Sequence, residues 1–480
     1  MRVGESNSPA SAAATTWVVS AGVFVVNLDL FIVNVAMPAL GTSFHHAPLS
    51  SLSWVLNAYA IVFAALLVPA GRLADRAGHR RGFLLGLGVF TAASALCAVA
   101  PGVGWLVAAR MLQAAGAAAL MPTSLALLLA ATPAERRTHA VRGWAAIGGI
   151  AAGLGPVLGG LLVAADWRWV FLVNLPVGAA ALAVGARLLP DVRPEQRGPL
   201  PDLAGAALLT LGIGALALGL VKARDWGWSS AGVIGALAAS ALLAGGFLLR
   251  SARHPAPVVE LPLLRVRAFA VASGASLLFA VAFAAMLLTS VLWCQQVWGY
   301  SALRTGLAIA PGPLVVPPLA LATGRVVHRF GPGPVAAVGC LVFGAGTLWW
   351  ATALDTGPHW AAGLLPGMLV TGLGVGLALP TLVGAAAAAL PPHRFATGSA
   401  VTTMARQTGS VLGVALMVTL LGSPAGAQAA LHAFRHGWTA TAIAALLGAA
   451  ACLLLPRPAA AAPAAAPRPA QDGLREPQRG

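Results

Sequence analysis

Charge is what this sequence has least of. Only 9% of its 480 residues are Asp, Glu, Lys or Arg, where a soluble globular chain carries about 25%. With 59% hydrophobic residues and a mean hydropathy of +0.84, the chain cannot cover a water-facing surface. Lysine is almost missing: Lys222 is the only one. The other cations are arginines, dispersed at the ends of apolar runs rather than gathered with aromatics on one segment. The net charge of +16 therefore reads as a topology signal and not as a nucleic-acid surface. Cysteine is scarce. Cys97, Cys294, Cys340 and Cys452 stand singly in or beside apolar runs with no CxxC pair, so neither a metal centre nor a disulfide framework is expected. HExxH, a Walker loop and acid pairs at helical spacing are all missing. Those absences argue against an enzyme and against an ATP-driven pump, and no cofactor is expected. No connecting segment is long enough for a soluble output domain, which counts against a transport-dead sensor.

What the sequence does have is long apolar runs, each closed by Gly, Pro or Arg. About 20 apolar residues let a helix cross the hydrocarbon core. Fourteen spans are expected: 15–37, 51–71, 82–100, 104–131, 141–164, 168–189, 202–221, 229–250, 269–294, 303–327, 333–353, 360–390, 397–421 and 433–455. The 56 glycines and 34 prolines suit membrane helices better than soluble ones. The first run is too long for a signal-peptide core, contains Asp29, and is followed by no cleavage pattern, so it reads as a retained span. Loops after even-numbered spans carry seventeen Lys or Arg residues, from Arg72 to Arg394; loops after odd-numbered spans carry five, Arg168, Lys222, Arg224, Arg304 and Arg435. The richer side is the cytoplasmic one, and an even count puts both termini inside a cell membrane. Trp54, Trp105, Trp167, Trp169, Trp226, Trp228, Trp298, Trp349, Trp350, Trp360 and Trp438 fall at the opposite ends, as an interfacial aromatic belt would.

An internal repeat organises the spans. GRLADRAG at 71–78 returns as GRVVHRFG at 324–331, and ALMPT at 119–123 returns as LALPT at 377–381. The offsets are 253 and 258 residues. The chain thus divides into a cytoplasmic tail (1–14), a six-helix unit (15–197), an inserted pair (198–254), a second six-helix unit (255–455) and a disordered tail rich in Ala, Pro and Arg (456–480). Such repeats are typical of secondary transporters, with a small-molecule substrate held near mid-membrane between the halves. The expected class is an all-α polytopic membrane protein, a monomer in the lipid bilayer.

The loop after the second span, GRLADRAGHRR at 71–81, has Gly71 and Gly78 for turns and Asp75 among Arg72, Arg76, Arg80 and Arg81. On residues alone it admits two readings, a basic topology loop with a capping acid and a gating loop. The string closely resembles the loop signature of the major facilitator superfamily. LDLFIVNVAMPAL (28–40), RMLQAAGAAALMPT (110–123), GGIAAGLGPVLGG (148–160), DWRWVFLVNLPVG (166–178) and ARQTGSVLGVA (405–415) resemble its fourteen-span drug:proton antiporter branch. The resemblance covers nearly all the chain outside the tails. It implies the major facilitator fold, two six-helix bundles plus two additional helices, and proton-driven export of hydrophobic or cationic drugs or antibiotics. Export of one self-made metabolite is the alternative. Gly149, Gly153, Gly155, Pro156 and Gly159 of the fifth span permit close helix approach and a bend, which suits either small-residue packing or a gating seam.

Asp29, Arg110 and Arg406 fall inside spans, where a central charge costs about 2.5–3.5 kcal/mol on insertion scales. Asp29 is the only carboxylate placed well inside one. It is the expected proton carrier, with Arg110 as the cation against which it switches; the resemblance implies a proton-linked role for that arginine. Arg406 reads as a snorkelling or packing charge, or as a functional one. Asn34, Asn57, Tyr59, Gln113, Gln295 and Gln296 are candidate substrate-lining groups, and each could face another helix instead. Departures from the family pattern are Ala114, where Gly is frequent, and His328 in place of the acid in the second loop. With no further acid found mid-span in the second half, multi-proton coupling and divalent-cation export lose support.

Overall fold

The computed structural model describes residues 9–191, 199–391, 394–422, 424 and 426–456. Arg193, Arg197 and the tail beyond Pro456 therefore lie outside the described residues. Among the described residues, fourteen helices are long and apolar enough to cross a membrane. They are α1 (Ala13–Ser43), α2 (Leu49–Ala77), α3 (His79–Ala98), α4 (Val103–Ala131), α5 (His139–Ala165), α6 (Trp169–Leu188), α7 (Leu203–Trp226), α8 (Ala231–Arg253), α9 (Arg267–Val297), α10 (Ala302–Phe330), α11 (Pro332–Ala353), α12 (Trp360–Ala388), α13 (Thr397–Leu421) and α14 (Ala427–Leu453). Each coincides with an expected span. Several overrun it, because a lipid-embedded backbone must satisfy its own N–H and C=O groups and the helix persists to the first Gly, Pro or polar break. The helical stretch of α1 begins at Pro9, so residues 9–14, assigned to the tail from sequence, form its opening turns.

The repeat is visible in backbone detail. Gly78, at φ 101°, closes α2 and donates to the Ala74 carbonyl at 2.8 Å; Gly331, at φ 82°, closes α10 and donates to Val327 at 2.8 Å. Only glycine adopts that conformation without strain, so each string ends in the residue that allows an immediate reversal. Thr123 and Thr381 each return their hydroxyl to the carbonyl four residues back, beside Pro122 and Pro380 inside α4 and α12. A Cβ on Gly116 of α4 would lie 2.5 Å from the Phe90 nitrogen of α3; one on Gly374 of α12 would lie 2.5 Å from the Phe343 nitrogen of α11. These pairs share the offsets of 253 and 258 seen in the strings.

α1–α6 build one bundle and α9–α14 the other. The first has apolar cores around Phe83, Phe90 and Leu120 and around Ile32, Leu106 and Phe171; the second is centred on Phe279, Phe343 and Trp438. α7 and α8 pack on each other, with Ser240 donating to the Gly212 carbonyl at 2.9 Å. α7 then lies against α2 and α13: Ile213 and Ala217 meet Ala60, Ile61 and Val411, and Thr419 donates to the Leu220 carbonyl at 2.6 Å. Asp202 caps α7 by accepting from Gly205 at 2.8 Å and is held by Arg250 of α8 at 2.6 Å. Burial alone would raise this carboxyl, but the bonds from Arg250 and the Gly205 N–H prevail and hold it below the usual carboxylate range.

The tryptophan belt needs correction. Trp105, Trp169, Trp226, Trp228 and Trp349 are exposed, as an interfacial belt requires. Trp350, Trp438, Trp167 and Trp298 are buried. Trp438 packs on Trp293 and Phe434, with ring centroids 5.0 and 5.7 Å away, and so fills the second bundle rather than anchoring it. Large aromatics near a helix end serve either use, and only the facing helix decides.

Candidate functional site

Asp29, halfway along α1, is fully buried among side chains from four other helices. Arg110 of α4 pairs with it: one guanidinium nitrogen donates to Asp29 Oδ2 and, at 2.6 Å, to Gln113 Oε1. Arg110 Nε donates to the Val55 carbonyl of α2 at 3.2 Å, and the guanidinium lies 4.1 Å from the Tyr59 ring centroid. Gln113 Nε2 donates to Asp29 Oδ1 at 3.0 Å and to Ser94 Oγ of α3 at 2.8 Å. Asn174 Nδ2, at the start of the longer part of α6, donates to the same two oxygens at 3.3 Å each. Ser94 Oγ in turn donates to the Phe90 carbonyl at 2.8 Å. The carboxylate thus accepts three bonds while a cation neutralises it, which is what lets a charge persist in so apolar a bundle. The Tyr59 hydroxyl and Asn174 Oδ1 are buried beside it without partners.

Sequence reasoning brought Asp29 and Arg110 together correctly. Tyr59 and Gln113, candidates either for a substrate-lining wall or for a helix–helix contact, belong to this cluster. Sequence reasoning did not single out Ser94 or Asn174; the amide in the otherwise apolar run FLVNLPVG was the available signal for the second. Asn34 returns its amide to the Leu30 carbonyl of its own helix at 3.0 Å. Asn57 is buried with both amide atoms unpartnered. Gln295 donates to the Val35 carbonyl of α1 at 3.2 Å, and Gln296 is exposed nearby. Arg406 of α13 is half-buried and takes no part in the Asp29 cluster.

In the loop after α2, Asp75 faces His79 at 3.6 Å, while Arg72 reaches away to Glu260, 3.1 Å distant in the segment before α9. Arg80 donates to the Ala186 carbonyl of α6. The arginines thus tie the loop to neighbouring elements as well as to its own acid.

The glycines of α5 divide between two faces. Gly148, Gly155 and Gly159 face α1, meeting Asn27, Phe31 and Ile32 respectively. Gly149, Gly153, Pro156 and Gly160 share the other face, toward α10. A Cβ on Gly160 would sit 2.5 Å from the Ala302 carbonyl oxygen, and Gly306 abuts the Pro156 carbonyl. On Gly153 it would lie 3.9 Å from Pro313, and on Gly149 it would meet nothing within 4 Å. The seam between the bundles is therefore shut at the arginine-poor end of α5 and widens toward the arginine-rich end. The Phe31–Phe283 ring contact, with centroids 6.4 Å apart, and the Gln295–Val35 bond also join the bundles.

A family model described as Major Facilitator Superfamily matches residues 19–414. The tetracenomycin C resistance and export protein of Streptomyces glaucescens is 34% identical, covering 88% of this chain and 79% of that protein. The methylenomycin A resistance protein of Streptomyces coelicolor is 33% identical over 84% of each. The multidrug resistance protein Stp of Mycobacterium tuberculosis is 34% identical, over 84% of this chain and 74% of its own length. Among solved structures, a POT family transporter aligns with a TM-score of 0.66 at 16% identity, covering 93% of this chain and 98% of that one. That likeness carries the fold alone. With two repeated six-helix bundles, an inserted helix pair and these relatives, the chain belongs to the major facilitator superfamily, in its fourteen-span branch.

Proposed function

We propose that this protein is a proton-coupled antiporter that exports hydrophobic antibiotics or drugs from the cytoplasm. The observation that carries the coupling is the Asp29 cluster, the one place well inside a span where a described carboxylate is buried. Export is supported by relatives whose names record antibiotic resistance or export. The arginine-rich face is the cytoplasmic one by its excess of Arg, so both termini lie inside and the seam is open inward. In the cycle, Arg110 pairs with Asp29 in this inward-open form. Closure of the cytoplasmic end separates the bundles on the far side, disturbs the Arg110 and Gln113 contacts, and lets Asp29 take a proton from outside. Return to the inward-open form restores the ion pair and releases the proton to the cytoplasm. The proton gradient drives the cycle and no cofactor takes part. The loop around Gly71, Asp75, Arg76, Gly78 and Arg80 and the α10-facing glycines of α5 act as cytoplasmic gates. The working unit is a monomer of two halves, 15–197 and 255–455, with 198–254 as an accessory pair.

Everted membrane vesicles test this. Asp29→Asn should insert normally yet lose gradient-driven efflux, while Asp29→Glu retains a fraction of it. Normal efflux by Asp29→Asn would sink the assignment. Names such as tetracenomycin C and methylenomycin A each refer to one compound, which favours a second reading, a dedicated exporter of a single antibiotic. A susceptibility panel in a pump-deficient host, with and without a protonophore, separates the two by whether one compound class or many is tolerated.

A further inference from the structure

Arg406 is a charge without a counter-charge. It lies more than two turns inside α13 and is half-buried. Among the described residues no acid, acceptor or ring meets its guanidinium, and the acid of α1 is already paired with Arg110. Its surroundings follow from what covers the rest of α13. Thr402 shares a hydrogen bond with Ser273 of α9 at 3.2 Å, and a Cβ on Gly409 would stand 3.0 Å from Ala280 of the same helix. Gly413 abuts the Val281 carbonyl, also on α9. Val411 packs with Ala60 and Ile61 of α2, and Thr419 bonds to α7. At about 100° per residue, with Thr402 as zero, the α9 contacts fall within about 20°, the α2 contact near about 180° and the α7 contact near about 260°. One flank, from about 40° to about 140°, has none of these neighbours at the level of Arg406; nearer the arginine-poor end the same flank is covered by α14, where Gly437 meets Met417 and Leu421. It carries Thr403, Arg406, Gln407 and Ser410.

That flank lies between α9 and α2, which belong to different bundles, on the side away from α7. It therefore borders the space between the halves, where the seam widens. A second group points the same way: Gln407 Nε2 is shielded from solvent and has no partner. A guanidinium offers paired donors to a carboxylate or phenolate, and the Thr403 hydroxyl and Gln407 amide beside it extend the hydrogen-bonding strip, while the Ser410 hydroxyl already donates to the Arg406 carbonyl at 3.1 Å. Beyond the exporter reading, on which this rests, we propose that the α13 flank built on Arg406 seats the acidic oxygen of the transported compound. The substrate is then a lipophilic organic anion, not a cation.

The test uses the full-length protein in lipid nanodiscs, with no gradient. Two probes share one apolar body: pyrenebutyrate, a carboxylate, and pyrenebutyl-trimethylammonium, a cation. Binding is followed by energy transfer from tryptophan to pyrene. Saturable, tighter binding of the carboxylate is expected. Arg406→Gln should weaken it about tenfold or more, with Arg406→Lys intermediate and cation binding not weakened. Should Arg406→Gln fail to fold, Thr403→Val combined with Gln407→Leu should still weaken the carboxylate severalfold. No saturable carboxylate binding, a preference for the cation, or carboxylate binding unchanged in a folded Arg406→Gln would each overturn the proposal. Asp29→Asn should keep carboxylate binding while losing driven efflux, so failure of the coupling mechanism and failure of the anion seat are read separately.

Discussion

At the scale of the residue, the Asp29 cluster matches the donors of Arg110, Gln113 and Asn174 to one carboxylate and leaves Asn174 Oδ1 and the Tyr59 hydroxyl without partners. Gln113 is its hinge, accepting from Arg110 and donating to Asp29 and Ser94. Gln113→Leu should therefore be the most destabilising neutral substitution here, costing on the order of a few kcal/mol, since it strips bonds from three buried groups at once. Ser94→Ala removes one shared acceptor and should cost only about 1 kcal/mol. Asn57→Leu removes two buried polar atoms that have no partners, and should leave stability unchanged or raised. Thermal unfolding of the purified variants checks the order; a Gln113→Leu milder than Ser94→Ala would contradict this account of the network. The sequence made the charged pair legible, because a charge in an apolar run is conspicuous and needs a partner. It hid Ser94, because serines in membrane helices commonly bond their own backbone and give no signal of a long-range role. It left Tyr59 and Gln113 between two readings, because helical spacing says which residues share a face but not which helix covers it.

At the scale of the element, α5 shows how far a glycine pattern can be read. Its small residues promised close approach, and both close faces exist. Only the structure separates the static one, toward α1, from the one toward α10 that is tight at Gly160 and empty at Gly149. Gly160→Val should disrupt the closed end, with lowered stability and lowered efflux. Gly149→Val should leave stability intact, since its Cβ meets nothing, yet reduce turnover by obstructing closure of the wide end. Comparing the thermal midpoint with the efflux rate in both variants distinguishes a packing role from a gating role. The inserted pair makes a different prediction. Asp202, capping α7 and tied to Arg250, is held below the ordinary carboxylate range, so its contribution to stability is present above the unfolded value of about 3.9 and fades as pH falls through the lower folded value. Unfolding midpoints should drop on acidification below about pH 4, and Asp202→Asn should lack that component while being less stable at neutral pH. Equal acid sensitivity in the two proteins would remove Asp202 from the account.

At the scale of the molecule, the halves meet in a medium that offers no hydrophobic force to hold them. Lipid tails are as apolar as leucine, so close packing of small residues and a few hydrogen bonds must do it. That is why the seam is lined with glycine on α5 and α10, and why it can be tight at one end and parted at the other without a large stake at either. The count of helices and the two halves were legible from run length and from strings repeated at constant offsets. How the halves lean was not, because both tilts bury the same residues against the same kinds of neighbour. The groups proposed for coupling and for substrate are split accordingly: the Asp29 cluster lies wholly in the first bundle and Arg406 in the second, so under that proposal only relative movement of the bundles can couple them. The arginine-poor end should then need to open in every cycle. Val35 and Gln295, bonded across that end at 3.2 Å, provide the handle. In Val35→Cys with Gln295→Cys, oxidation should join the bundles by a disulfide, and the same treatment of the parent protein, with its four buried native cysteines, is the control. The joined protein should still bind from the cytoplasmic side but show no turnover, and reductive cleavage of the link should restore efflux. Undiminished efflux in fully cross-linked protein would mean that this end stays closed throughout transport.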